Sequence, residues 1–284
     1  MTHHSSSMTA IQLNTRIQGT GYPILCLHGH PGSSQCMDVF TQSLSNRFQT
    51  IAPDLRGYGK SQVKQSFQMS DHLLDLEMLT RQLQLEQFII LGWSLGGILG
   101  VELALRQPER VKGLILVASA AQPRGNHPPI SLQDNLYTGI ASLINLLFPG
   151  WGWNIETFGK RSLFRYLIQR HTSSAYKYIA HAAVPAYLQT SRRATFALSQ
   201  ALRTGYNRLG ELSTVQCPTL VMAGASDYHI TAASSFATAE AIPIAQFHCY
   251  PNTAHLFPWE IPDRVITDIE EWLAFHALTT DKFI

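Results

Sequence analysis

Charged side chains are scarce in this 284-residue chain, since Asp, Glu, Lys and Arg make up only 14% of it and the formal net charge is +2. A nearly neutral sequence without a block of lysine and arginine does not favour a nucleic-acid partner, whose phosphates attract clustered positive charge. Hydrophobic residues make up 45% of the chain, which is enough for a substantial core. These proportions predict a globular protein, and they make a small molecule the default expectation for its partner.

The chain has only four cysteines, and no two of them have the close spacing of a zinc or redox motif. Three lie in apolar, strand-like runs, as Cys26 does within residues 24–27, so we expect buried free thiols. A protein of this length does not depend on disulfides for its stability. The cysteines therefore indicate a reducing, cytoplasmic environment, and we expect no metal ion.

Long hydrophobic runs are also missing, and none reaches the roughly 18 to 20 apolar residues that a bilayer-spanning helix needs. The N-terminal residues MTHHSSSM lack the apolar segment of a signal peptide. We therefore predict a soluble protein in which residues 1–9 form a flexible leader.

Short apolar runs that alternate with longer amphipathic segments are what the sequence does contain. The predicted strands are residues 22–28, 48–53, 88–92, 113–118, 218–223 and 245–250, with a weaker pair near residues 11–18. Helical spacing of leucines after Ser70, and of apolar residues across 261–277, predicts helices between and after these strands. The alternation predicts an α/β fold with a mostly parallel, doubly wound sheet of about eight strands.

The alternation stops near residue 122 and resumes near residue 214. The intervening residues are rich in aromatic side chains, have helical periodicity and contain no convincing strand. We expect residues 122–213 to form a helical cap inserted into a core domain made of residues 10–121 and 214–284.

The sequence GWSLGG at residues 92–97 matches the G-x-S-x-G pattern directly after one predicted strand and before a helical segment. A sharp strand-to-helix turn exposes the serine hydroxyl for attack, and glycines on either side allow the backbone to crowd together. Ser94 is therefore the predicted nucleophile. The backbone N–H of Leu95, at the helix start, is a predicted oxyanion donor.

A second glycine-containing loop, HGHPGS at residues 28–33, follows the strand at 22–28. A second oxyanion donor is expected from this loop, and the backbone N–H of His30 is the candidate. We interpret His28 as a structural residue.

A serine nucleophile needs a histidine base and a carboxylate partner, and on this type of fold their chain order is Ser, Asp or Glu, His. Asp227 and His255 have that order, and each lies just after a predicted strand. His229 and His248 are poorer candidates for the base.

Together these motifs resemble the α/β-hydrolase superfamily, and the GWSLGG turn resembles that of carboxylesterases. Further matching segments are DLRGYGKS at 54–61, the spacing from Gly224 to Asp227, and Glu260 after His255. The resemblance implies a structural role for Asp54. The chain departs from the pattern at Ala254, where relatives often have glycine, and at residues 228–230, where a Val-Pro pair is common.

Serine at position 94 argues against haloalkane dehalogenases and epoxide hydrolases, which use a carboxylate nucleophile. We expect hydrolysis of a small carboxylic ester through an acyl-enzyme, without a cofactor. Lactonase, thioesterase, C–C bond hydrolase and perhydrolase-like activities stay open, as does a small-molecule receptor that retains the triad without turnover.

Residues 122–213 contain ten basic side chains and only three acidic ones, so this segment carries +7 and the remainder of the chain −5. Basic side chains on helices commonly form a solvated face. The alternative is that they attract an anionic or carrier-linked acyl substrate towards Ser94.

Overall fold

The computed structural model describes residues 9–276 and residue 278. Except for Thr9, the predicted leader lies outside the described residues. The strands are β1 (Thr15–Gln18), β2 (Pro23–Leu27), β3 (Gln49–Pro53), β4 (Phe88–Trp93), β5 (Val111–Val117), β6 (Thr219–Gly224) and β7 (Ala245–Tyr250). They form one sheet in the order β1-β3-β2-β4-β5-β6-β7, in which β1 is antiparallel to β3 and all the other pairs are parallel.

Helices connect the strands and cover both faces of the sheet. They are α1 (Asp38–Leu44), α2 (Asp71–Gln82), α3 (Leu95–Arg106), α4 (Leu132–Leu147), α5 (Gly152–Thr157), α6 (Ser173–Tyr178), α7 (Val184–Leu188), α8 (Arg192–Arg203), α9 (Ala232–Ala241), α10 (Phe257–Glu260) and α11 (Pro262–Phe275). A π-helical turn, Ile179–Ala183, joins α6 to α7. Among the described residues, no helix combines the length and apolar character that crossing a bilayer requires.

Side chains of the central strands alternate between two cores. In β2, Ile24 and Cys26 belong to the cluster that also contains α1 and α11, whereas Leu25 and Leu27 belong to the cluster with α2 and α3. This alternation follows from the two-residue period of a strand, and it explains why the central parallel strands are mostly apolar. The doubly wound α/β architecture is as the sequence predicts.

The carboxyl ends of β2, β4, β6 and β7 lie at one edge of the sheet because these strands run parallel. All the predicted site residues follow one of these strands. The fold therefore brings residues from distant parts of the chain to a common edge, where open α/β sheets bind their ligands.

Residues 122–213, which we call the inserted segment, lie between β5 and β6 and are described completely. They contain helices α4 to α8 and no strand.

The start of the chain differs from the expected strand pair near residues 11–18. Only β1 forms there, so the sheet has seven strands among the described residues where about eight are expected. The backbone N–H of Ile11 donates to Asp75 Oδ1 (2.7 Å) and that of Asn14 to Ser61 Oγ (2.9 Å). Side chains therefore satisfy the backbone groups that a further strand would have paired.

Two smaller expectations from the sequence also differ from the structure. The Ser70 side chain makes no capping hydrogen bond to α2, and instead Asp71 Oδ2 accepts one from the Gln68 N–H (2.7 Å). All four cysteines are free thiols and three are buried, but Cys249 is exposed. Cys249 lies on β7, and an edge strand is covered less completely than a central one.

Candidate active site

Ser94 lies between the last residue of β4 and the first residue of α3, with φ 53° and ψ −115°. A positive φ is strained for a residue other than glycine and costs on the order of 1–3 kcal/mol. The turn is held by neighbouring groups, because the Ser94 N–H donates to Val117 O (2.9 Å) and Ser119 Oγ donates to Ser94 O (2.8 Å). The Ser94 hydroxyl is therefore presented by a rigid and strained turn.

The two glycines of the motif allow this turn to pack closely. A Cβ atom added to Gly92 would overlap the backbone of Gly96, and one added to Gly96 would overlap the carbonyl group of Leu27. Neither backbone can yield without displacing β2 or α3. These glycines are required by close approach rather than by their dihedral angles.

A continuous hydrogen-bonded chain joins Ser94, His255 and Asp227. His255 Nε2 is 3.2 Å from Ser94 Oγ, and His255 Nδ1 is 2.7 Å from Asp227 Oδ2. All three residues are buried, with relative exposures of 9% for Ser94 and 5% for each of the others. The structure therefore brings together the three residues that the sequence predicts.

The second carboxylate oxygen of Asp227 is also occupied. Asp227 Oδ1 accepts hydrogen bonds from the backbone N–H groups of His229 (2.7 Å) and Ile230 (3.1 Å). These donors fix the plane of the carboxylate, so that Oδ2 faces the imidazole of His255.

Of the two predicted oxyanion donors, His30 lies on the loop after β2, and Leu95 is the first residue of α3, directly after the Ser94 turn. Within the described residues, neither the His30 N–H nor the Leu95 N–H donates to another protein group. The His30 ring is anchored by Nδ1 at 2.9 Å from the Tyr58 hydroxyl. Burial lowers the pKa of His30 to about 4, so its side chain is neutral at pH 7.

His28 and Asp54 have structural contacts, as expected. His28 Nε2 accepts a hydrogen bond from the Leu55 N–H (3.0 Å), and burial lowers the pKa of His28 to about 4. Asp54 accepts backbone hydrogen bonds from Ser34 (2.7 Å) and Lys60 (2.9 Å). Both residues tie loops to the sheet.

A pair of histidines that the sequence does not indicate lies next to the triad. The His229 ring centroid is 5.0 Å from that of His255, and His127 Nε2 is 3.0 Å from His229 Nδ1. Burial lowers the pKa of His229 to about 3, so its ring places no positive charge beside His255 at neutral pH. His127 belongs to the inserted segment and is about one hundred residues from His229 in sequence. The one sequence feature that points to this pair is residues 228–230, where the chain lacks the Val-Pro pair of the resembling family.

An aromatic wall flanks the other side of His255. Trp93 lies 5.8 Å from the His255 ring and 4.8 Å from Trp259, and Tyr178 of the inserted segment stacks on Trp259 at 3.9 Å. Trp93 and Trp259 are 4% and 6% exposed, so these rings are part of the core that packs against His255. Among the described residues, no cluster of three or more His, Cys, Asp or Glu side chains is arranged to hold a metal ion.

Glu260 connects the loop of His255 to the inserted segment. Its Oε1 accepts from the Ala254 N–H (2.9 Å), and its Oε2 accepts from the N–H groups of Gln169 (3.2 Å) and Arg170 (2.5 Å). Burial raises the pKa of Glu260, while the N–H donors oppose that shift. Glu260 therefore fixes the position of the inserted segment relative to His255.

Replacing Glu260 with glutamine is expected to lower the free energy of unfolding by about 1.5–3 kcal/mol, because an amide N–H₂ group would face a backbone donor. Amide exchange at Ala254 and Gln169 should accelerate as well. Urea unfolding and hydrogen exchange measure both effects. Glu156→Gln, at an exposed glutamate paired with Lys160, is the control and should shift stability by less than about 0.5 kcal/mol. Equal stabilities for the two variants would contradict the role assigned to Glu260.

Comparison with known proteins agrees with this fold. Residues 22–147 match the family model described as alpha/beta hydrolase fold. A pimeloyl-[acyl-carrier protein] methyl ester esterase of Nitrosomonas europaea is 29% identical, over 92% of this chain and 98% of the relative. A cis-3-alkyl-4-alkyloxetan-2-one decarboxylase of Shewanella oneidensis is 25% identical, over 95% of this chain and 87% of the relative.

Among solved structures, a thermophilic esterase from Thermogutta terrifontis, with malate bound, superimposes with a TM-score of 0.72. It is 27% identical to this chain, and the match covers 93% of both chains. The strand order, the Ser94 turn and these relatives agree with one another, and the chain has the α/β-hydrolase fold.

Proposed function

We propose that this protein is a serine hydrolase that cleaves a small carboxylic ester through an acyl-enzyme intermediate. The observation that carries the proposal is the hydrogen-bonded chain from Ser94 Oγ through His255 to Asp227, with distances of 3.2 and 2.7 Å. The esterases among its relatives support the same activity.

In the first half of the reaction, Ser94 Oγ attacks the ester carbonyl carbon while His255 Nε2 accepts the hydroxyl proton. The carbonyl oxygen becomes an oxyanion, which the N–H groups of His30 and Leu95 stabilise. The C–O bond of the ester then breaks. The alcohol leaves with the proton from His255, and the acyl group stays bound to Ser94.

In the second half, His255 accepts a proton from water as the water oxygen attacks the acyl carbon. Collapse of the second tetrahedral intermediate breaks the bond to Ser94 Oγ, which regains the proton, and the carboxylic acid is released. Asp227 holds the imidazole in the tautomer that keeps the Nε2 lone pair towards Ser94.

The inserted segment is proposed to act as the cap that selects the acyl group. Tyr178 stacks on Trp259 in the aromatic cluster beside His255, and Arg124 lies beside the loop that follows Asp227, since its carbonyl accepts from the Thr231 N–H (3.0 Å). The relative from Nitrosomonas europaea is named for a carrier-linked methyl ester. A methyl ester of an acidic acyl chain is therefore the substrate class to test first.

The test uses two methyl esters of equal length, one with a free terminal carboxylate and one without. Many turnovers per protein molecule are expected with at least the acidic ester, whereas a receptor that retains the triad would give at most one slow turnover. Product formation is followed under substrate excess. A single turnover with both esters would contradict the proposed hydrolase.

The same pair of esters tests the selection of an anionic acyl group. Because steering weakens as salt screens charge, kcat/KM for the acidic ester should fall on the order of tenfold from low to high ionic strength. The neutral ester should barely respond. Arg124→Gln should reduce the salt response, whereas Arg203→Gln, at the exposed end of α8, should not. Equal salt responses for both esters would mean that the basic side chains of the inserted segment form a solvated face and do not attract the substrate.

A further inference from the structure

Helix α4 directs its leucines outward. Leu132, Leu136, Leu143 and Leu147 are 89%, 61%, 63% and 68% exposed. Their spacing of four, seven and four residues places them on one stripe of the helix. Three of the small or polar residues on the opposite side are buried, namely Asp134, Ala141 and Asn145. This arrangement is the reverse of an ordinary surface helix, whose apolar stripe faces the core.

Specific bonds hold the polar side of α4 inside the protein. Asn145 Nδ2 donates to Tyr176 O (2.7 Å), and Asn145 Oδ1 accepts from the Gly150 N–H (2.9 Å). Asp134 forms an ion pair with Arg165 (2.7 Å) and closes a capping box with Ser131. Rotation of the helix would break these bonds, so the outward direction of the leucines is fixed by the packing.

The apolar stripe continues into the residues after the helix. Phe148, Trp151 and Trp153 are 58%, 48% and 51% exposed. The ring centroids of Phe148 and Trp151 are 5.5 Å apart, and those of Trp151 and Trp153 are 5.0 Å apart. The leucine–tryptophan face thus consists of Leu132, Leu136, Leu143, Leu146, Leu147, Phe148, Trp151 and Trp153. Contiguous apolar surfaces of this kind mark interaction sites.

The charges around this face are mainly positive. Residues 130–183 contain more basic than acidic side chains, and the two acidic ones are Asp134 and Glu156. Both acidic groups are neutralised, Asp134 by Arg165 and Glu156 by Lys160 (2.6 Å). Arg161 and Lys177 are exposed and form no ion pair with a described residue. Lys177 lies beside Gly150, which is between Phe148 and Trp151 in the sequence. The Arg161 N–H donates to Phe158 O (3.0 Å), and the Phe158 ring centroid is 5.7 Å from that of Trp153.

We propose that the leucine–tryptophan face docks on an anionic lipid surface. Tryptophan prefers the boundary between water and hydrocarbon, and leucine on the same face inserts among the acyl chains. The basic residues at its border attract anionic headgroups. A second copy of the chain fits less well, because a twofold dimer would bring the same basic border against itself. The inference does not depend on the proposed hydrolase activity.

The experiment measures co-sedimentation of the full chain with vesicles of phosphatidylcholine, alone or mixed equally with phosphatidylglycerol. Binding is expected to the mixed vesicles, to weaken at high salt, and to be much weaker with phosphatidylcholine alone. Leu143→Gln combined with Leu147→Gln should reduce the binding constant by roughly tenfold or more, because two exposed leucines no longer insert. Arg161→Gln and Lys177→Gln should each reduce it about fivefold with mixed vesicles only.

Phe275→Gln is the matched control, since Phe275 is 76% exposed on α11 and not part of the face. This variant should bind vesicles as the unaltered chain does. Thermal unfolding of all variants verifies that the exposed substitutions leave the fold intact.

Equal vesicle binding by the leucine variant and the unaltered chain would overturn the proposal, as would binding that is indifferent to lipid charge. Analytical ultracentrifugation without lipid provides the remaining test. A stable dimer that the two leucine substitutions dissociate would assign the face to a second copy of the chain instead.

Discussion

Ser94→Ala is expected to lower kcat for ester hydrolysis by about 10⁴- to 10⁶-fold, the loss that follows removal of the nucleophile from a serine hydrolase triad. The fold should survive the substitution. The Ser94 hydroxyl bonds to His255 Nε2, whereas the strained turn is held through the backbone of Ser94, which alanine retains. Alanine also tolerates the positive φ no worse than serine does.

The measurement combines initial rates with a covalent label. A fluorophosphonate should add to the unaltered protein at one site and fail to add to the alanine variant. Ser119→Ala is the matched control, because Ser119 Oγ lies at the same turn but donates to the Ser94 carbonyl. It should cost about 1 kcal/mol of stability and leave kcat within roughly tenfold. If Ser94→Ala retained more than a tenth of the unaltered rate, another nucleophile would have to be sought.

The residues of the candidate triad could be predicted from the sequence because each follows a recognisable strand. GWSLGG directly after residues 88–91 leaves few alternatives for the turn at Ser94, and parallel strands bring Asp227 and His255 to the same edge. The doubly wound sheet could be predicted for the same reason, since both of its faces require apolar strands.

What could not be predicted depends on contacts between distant segments. The carboxylate of Glu260 accepts hydrogen bonds from the backbone of residues 169, 170 and 254. His127 of the inserted segment contacts His229, which lies two residues after Asp227. No local pattern encodes these pairs. The leucine stripe of α4 is equally ambiguous, because similar helical spacing in α2 places leucines in the core. The burial of Asp134 and Asn145 shows that the polar side of α4 packs inward and its leucine stripe faces outward.

Asp227→Asn tests how the base is oriented, and the structure predicts which way the new amide would point. Because the N–H groups of His229 and Ile230 both donate to the Oδ1 position, the amide oxygen of the introduced asparagine would be held there. The amide N–H₂ would then face His255 Nδ1, which must accept rather than donate. The proton of the neutral imidazole would move to Nε2, and His255 would be unable to accept the proton of Ser94.

A loss in kcat of about 10⁴-fold is therefore expected for Asp227→Asn, comparable to the effect of this substitution in a serine protease triad. His255→Ala should cost at least as much, and the double variant should lose little beyond His255→Ala alone, because the residues act as a unit. Asp268→Asn is the matched control, since Asp268 is a buried carboxylate 3.4 Å from His248 and bonded to Tyr250. It should reduce stability and leave kcat nearly unchanged. If the free-energy losses in kcat of the two single variants added fully in the double variant, Asp227 would act independently of His255. If Asp227→Asn retained the unaltered rate, another carboxylate would have to orient His255.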